Sequence, residues 1–147
     1  MVRTSCILAV LVLLACAGGA GAAGLADLPV GRVLVDGEAH AAHIADDSRE
    51  RGQGFQHVPA DRIREAMIYF HFPRPVVPRF HMRNVAAPLA IAWIDADGRV
   101  IGIDIMEPGG SGYVPPGPIT AALELHPARL DALGLDVGSR VRVQPGE

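Results

Sequence analysis

The segment Leu89 to Met106, LAIAWIDADGRVIGIDIM, constrains the fold more than any other, because two apolar runs flank Asp97-Gly98, a two-residue signal for a tight antiparallel hairpin. With a type I′ turn there, Ile94 pairs with Ile101 and Trp93 with Gly102. One face then carries Ala90, Ala92, Ile94, Ile101, Ile103 and Ile105. The other carries Leu89, Ile91, Trp93, Val100, Gly102, Asp104 and Met106, so both faces are largely apolar and both need cover. The hairpin is therefore expected at the centre of a sheet, with Gly102 leaving room for the Trp93 indole. Asp104 is the odd member of its face.

The remaining chain reads as mainly β. Asp36-Gly37 between Arg32–Val35 and Glu38–Ile44 predicts a first hairpin, and Asp46-Asp47-Ser48 predicts a helix cap before Arg49–Arg51, with an end near Gly52 or Gly54. Ala66–Phe72 is a strand candidate, after which Pro73, Pro75 and Pro78 force an extended connection outside the hydrogen-bonded ladder. Glu107–Pro118 is rich enough in Gly and Pro to be an ordered loop or flap. Ile119–Leu125 predicts a strand, Pro127–Leu133 a short helix ended by Gly134, and Ser139–Val143 a last strand. The fold class is mainly β (α+β), a compact barrel-like antiparallel sheet with two short helices.

The N-terminus carries an export pattern. Arg3 precedes the apolar run Cys6–Ala17, and Gly18–Gly24 are all Gly or Ala. The run is shorter than the roughly 20 residues a spanning helix needs, so residues 1–24 read as a signal peptide and 25–147 as a single domain. Leu13-Leu14-Ala15-Cys16 resembles a lipobox, which offers an anchored product acylated at Cys16 beside a free one; the bulk of Leu14 favours the free product. Either way the protein is expected outside the cytoplasm, periplasmic or extracellular, with no transmembrane span in the mature chain. Cys6 and Cys16 both lie in this segment, so the mature domain has no internal disulfide, cysteine nucleophile or thiolate metal site.

Without Arg3, 12 basic and 16 acidic side chains leave a mild negative balance with interspersed signs, which argues against nucleic acid as a partner. All basic residues are Arg, and the absence of Lys excludes Schiff-base chemistry.

The block Arg79–Pro108 resembles the central signature of the domain of unknown function 192 (DUF192) family, F-W-M-K-N-T-x-x-P-L-D-I followed by a strand, a D-x-D-G turn and a second strand. Phe80, Met82, Asn84, Pro88 and Leu89 match it, Arg83 replaces the Lys, and Ala122-Leu123-Glu124-Leu125 is similar to the family's A-L-E strand. The ending GLDVGSRVRV is similar to G-L-x-x-G-D-x-V, and the resemblance spans Ser48–Val143. Departures stand at His81 for Trp, Val85 for Thr and Ala90 for Asp. In Arg51-Gly52-Gln53-Gly54-Phe55-Gln56-His57-Val58 the Met and second Arg of R-x-x-G-L-M-x-R are lost. The resemblance implies a fold but no agreed activity, and an altered polar site if the family builds one from these residues.

Candidate ligand-binding residues are Arg83, Asn84, His81, Tyr113, Glu124 and Asp104. Arg83 and Asn84 offer donors to an anionic or sugar-like ligand, and equally to the irregular backbone before Pro88. Glu124 lies in an apolar strand and calls for a partner, with Arg83 or Arg51 available. His81 and Met82 point to opposite faces of a strand, as do His40 and His43, so no convergent metal ligands and no cofactor are indicated. Ser111 lacks the G-x-S-x-G elbow. The sequence therefore favours a small ligand-binding or accessory module of the cell envelope, taking a small molecule or envelope component in a groove near Arg83, Asn84 and Tyr113. Its alternatives are an enzyme acting on envelope polysaccharide through paired carboxylates such as Asp104 and Glu124, and a purely structural interaction domain.

Overall fold

Two turns set the outer and inner hairpins. The computed structural model describes residues 24–144; the segment expected to direct export, with Cys6 and Cys16, lies outside them except for Gly24. Strands β1 (Val30–Val35) and β2 (Glu38–Ala45) pair antiparallel across Asp36-Gly37, both of which take positive φ (48° and 95°), as a type I′ turn requires. The inner hairpin, β5 (Leu89–Ile94) and β6 (Val100–Met106), keeps Trp93 opposite Gly102 as expected, but Ile94 pairs with Val100 and not with Ile101. The turn is a residue longer than a type I′ link. Asp95 O accepts from Gly98 N at 3.0 Å, Asp95 N donates to Arg99 O at 2.9 Å, and the Asp95 carboxylate accepts from the amides of Asp97 and Arg99. Gly98 takes φ 76°, and the extra residue becomes a bulge that exchanges the faces of Val100 and Ile101. Val100 is buried with Ile94, while Ile101 packs on the opposite face with Trp93.

Between β2 and the third strand lie helices α1 (Ser48–Gln53) and α2 (Ala60–Glu65). Asp47 caps α1 by accepting from Glu50 N at 2.8 Å, while the Glu50 carboxylate accepts from the amides of Asp46 and Asp47, a reciprocal capping box. This two-helix crossover lets β3 (Met67–Val76) lie parallel to β2, which a hairpin could not do. The expectation of an antiparallel sheet is corrected accordingly: the sheet is mixed. The expected pair of helices is also one short, since α2, whose one buried residue is Ile63, has too little apolar periodicity to be seen in the sequence.

With β4 (Phe80–His81), β7 (Ser111–Tyr113), β8 (Ile119–Leu125), α3 (Leu130–Leu133, preceded by a 3-10 turn at Pro127–Arg129) and β9 (Val141–Val143), the main sheet runs β6-β5-β8-β3-β2-β1-β9. Its two edges touch at an Arg99–Arg140 bridge flanked by Val141 N to Gly98 O (2.8 Å) and Val100 N to Ser139 O (2.9 Å). No continuous ladder joins them, so the sheet curls without closing into the expected barrel. The hairpin expected at the centre of the sheet instead forms one side of it: β5 is an interior strand, wholly buried, whereas β6 is an edge strand with Asp104 and Ile105 exposed. β3 continues through its prolines, yet its pairing with β8 is irregular between His71 and Val76, as Pro73 and Pro75 require.

The two faces hold two cores. Val33, Tyr69, Ala92, Ile94, Leu123 and Val141 fill the concave side of the curl, against Leu135 and α3. Ile68, Phe70, Ile91, Trp93 and Met106 form the other face, covered by Phe55 and Ile63 from the crossover and by Met82 and Phe80 from the β4–β7 ribbon. A Cβ on Gly102 would stand 3.3 Å from Trp93 Cδ1 and 3.2 Å from Pro116 Cγ. Gly102→Val is therefore expected to destabilise the fold by about 1–3 kcal/mol through overpacking, read as a lower urea midpoint with an unchanged slope.

Candidate functional site

Glu124 is the polar exception on the second face. Its register places it between Ile91 of β5 and Ile68 of β3, both fully buried, and only 4% of the residue is exposed. Among the described residues no cation lies within ion-pairing distance and none hydrogen-bonds its carboxyl group. The expected pairing with Arg51 or Arg83 is therefore corrected. Arg51 donates to the carbonyls of Asp46 and His71 and lies 5.3 Å over the Phe72 ring; Arg83 is exposed. Burial without a counter-charge disfavours ionisation and pushes the Glu124 carboxyl up to about 8, so the acid is mostly neutral at pH 7.

The carboxyl group faces a cavity of about 240 Å³. Its walls are Phe55, Phe70, Phe72, Phe80, Val85 and Leu89, with Arg51, Gln53, Gln56, Arg79 and His81 as the other polar lining. The aromatic wall is held by edge contacts, Phe70 to Phe80 at 5.2 Å and Phe80 to Trp93 at 5.4 Å. Gly54, at the end of α1, has φ 49°, and a side chain there would meet Phe70 at 3.6 Å and the Glu124 carboxyl at 3.9 Å. Glycine at this position keeps the space above the acid open.

The ribbon that roofs the cavity is pinned from the Gly/Pro loop. Met82 N donates to Gly110 O at 2.7 Å, and Gly109 N donates back to Met82 O at 2.9 Å. Tyr113 Oη accepts from Glu107 N at 3.1 Å, and Tyr113 pairs with Phe80 across the two-stranded ribbon. Tyr113 is thus a brace for the loop and does not line the cavity. Asn84 also stands outside it. Its φ of 58°, its carbonyl accepting from His57 N at 2.8 Å and its amide donating to Gln56 Oε1 at 3.3 Å make it the turn residue that joins the ribbon to the α1–α2 connection.

Of the sequence candidates, then, the fold brings His81 and Glu124 to one cavity and leaves Arg83, Asn84 and Tyr113 beside it. His81 is exposed at the cavity lining, and its Nδ1 accepts from Arg83 N at 3.3 Å, which leaves the proton of a neutral ring on Nε2. Asp104 is two strands from Glu124 with Ile91 between them, a separation of roughly 10 Å, and accepts from Trp93 Nε1 at 2.8 Å outside the lining. The two carboxylates do not form a pair around one space. Among the described residues no group of three or more His, Cys, Asp or Glu is placed to hold a metal ion, and no helix is long and apolar enough to cross a membrane. Sequence reasoning missed Arg79, Gln53 and Gln56, whose polarity is ordinary for surface residues and carries no local signal.

The family model for DUF192, described as an uncharacterized ACR, matches residues 32–143. The chain belongs to this family. Among solved structures, the fold of this chain is similar to that of a protein of unknown function from Novosphingobium aromaticivorans, at 27% identity and a TM-score of 0.68 over 78% of this chain and 86% of the other. A putative transcription regulator from Sinorhizobium meliloti shares the fold at 23% identity and a TM-score of 0.66, over 79% of this chain and 95% of the other. No curated protein matches. The three DUF192-like segments quoted from the sequence, Arg51–Val58, Phe80–Leu89 and Ala122–Leu125, all contribute to the cavity lining.

The protonated acid has a consequence for stability. The folded-state value lies above the unfolded value of 4.5, so between about pH 4.5 and 8 the native state keeps a proton that the unfolded chain has released. The contribution is full below that window and is lost as pH rises through it. Wild-type melting temperature is expected to fall over this range relative to Glu124→Gln, by several degrees on the scale of a domain this size; parallel curves for the two proteins would contradict the assignment. Asn84→Ala is expected to cost about 1–2 kcal/mol for forcing alanine into a left-handed conformation, with Asn84→Gly much milder, as read by denaturant titration.

Proposed function

We propose that this DUF192 protein is a small-ligand-binding module of the cell envelope and that the Glu124 cavity is its site. The observation that carries the reading is an acid with no hydrogen-bond partner among the described residues, in a residue only 4% exposed, aimed into an aromatic-walled space with cationic side chains in its lining. A buried polar group left without a partner costs stability, and a ligand that supplies the partner recovers it. The meeting of three separate family-like segments at this one place supports the same reading. The envelope location is supported by the N-terminal export pattern.

An enzyme acting on envelope polysaccharide is the second reading. Its support is the raised Glu124 acid, a state suited to general-acid chemistry. The separation of Asp104 from the cavity removes the paired carboxylates on which that reading was first based.

A ligand that binds only the folded protein must raise its melting temperature. A thermal-shift screen of the protein against small organic acids, alcohols, amines and envelope sugars is expected to give at least one clear stabilisation. Val85→Phe, which fills the cavity from its wall, is expected to abolish that shift while leaving circular dichroism unchanged. A shift that survives Val85→Phe would place the site elsewhere.

A further inference from the structure

The polar groups around the cavity are of two kinds. One is Glu124, whose carboxyl group has no hydrogen-bond partner among the described residues. In the rest of the lining, Arg51 and Arg79 are guanidinium groups without carboxylate partners among the described residues: Arg51 donates to backbone carbonyls and Arg79 is exposed. The remainder of the lining is mainly aromatic and aliphatic. At about 240 Å³ the space is smaller than the roughly 300–1,000 Å³ typical of sites for drug-sized ligands.

We propose that the cavity takes a small organic carboxylate with a single-ring or branched apolar body, its anionic group held by the Arg51 and Arg79 side chains and by a hydrogen bond donated from the Glu124 carboxyl group. This deepens, and rests on, the reading of the cavity as a ligand site. An O–H donor facing a carboxylate makes a short, charge-assisted hydrogen bond, and such a bond is stronger beside apolar walls than in open water. The other charged or titratable groups of the lining are Arg51 from α1, Arg79 just before β4 and His81 from β4. None of them is acidic. An ammonium ligand would need Glu124 ionised and would share the cavity with two guanidinium groups, whereas a carboxylate meets complementary groups throughout. Because Glu124 is protonated below about pH 8, the donor that the proposal needs is present at neutral pH and disappears above it.

Isothermal titration of the protein with benzoate, benzyl alcohol and benzylamine at pH 7 and pH 9 tests this. Benzoate is expected to bind most tightly at pH 7 and about tenfold more weakly at pH 9, in proportion to the protonated fraction of Glu124. Glu124→Gln retains a neutral donor, so benzoate binding is expected to stay within a few-fold of wild type at pH 7 and to lose that pH dependence; any contribution from His81 persists in the variant and cancels in the comparison. Arg79→Gln is expected to weaken benzoate by about two- to fivefold, as for an exposed ion pair, and to leave benzyl alcohol unchanged. Preferential binding of benzylamine or benzyl alcohol, or benzoate affinity equal at the two pH values, would overturn the carboxylate class while keeping the cavity as a ligand site. No binding of any of the three would overturn both readings.

Discussion

Strands β5 and β8 are buried on both faces, and the rest of the molecule is arranged to keep water from them. A sheet of this kind must be covered twice. On one side it curls over its own core until Gly98–Val100 meets Ser139–Val141, with Leu135 and α3 filling the remaining opening. On the other side the cover is assembled from pieces distant in sequence: the α1–α2 crossover, the β4–β7 ribbon and the Gly/Pro loop that pins it. The cavity lies where these pieces meet, above Glu124 of β8.

That residue explains why the cover is left incomplete. An apolar side chain at position 124 could be closed over by Phe70, Phe80 and Leu89, whereas a carboxyl group keeps a demand for a hydrogen-bond partner. Gly54, which takes a positive φ at the end of a capped helix, puts no side chain into the space above the acid. The Asn84 turn and the Met82 clamp hold the ribbon above it. These side chains and backbone bonds maintain a space and do not themselves enter it.

The hairpins were legible because turn chemistry is local: Asp36-Gly37 and Asp97-Gly98 announced both. What the second turn did not reveal was its length, since Asp95 can hold three loop residues as well as two, and the resulting bulge sent Val100 and Ile101 to the faces opposite to those expected. The parallel pairing of β2 with β3 was hidden for a related reason, because α2 carries one buried residue and so lacks the periodicity by which a helix is read. In the site, Glu124 and His81 were visible as polar residues in apolar or family-like surroundings. Arg83, Asn84, Tyr113 and Asp104 had the same appearance and turned out to be exposed, a turn residue, a loop brace and the partner of an indole. Polarity in an irregular segment is shared by groups that serve the backbone and groups that serve a ligand. Only the three-dimensional arrangement separates them.

The protein therefore presents a neutral, buried acid in a small aromatic-walled cavity, a combination suited to recognition by hydrogen bonding and shape. The most direct measurement is the titration of the Glu124 side-chain carboxyl carbon by NMR in the protein without added ligand. A midpoint near 8 is the result this account predicts; a midpoint in the ordinary carboxylate range, near 4, would mean that Glu124 is solvated or paired and would contradict it.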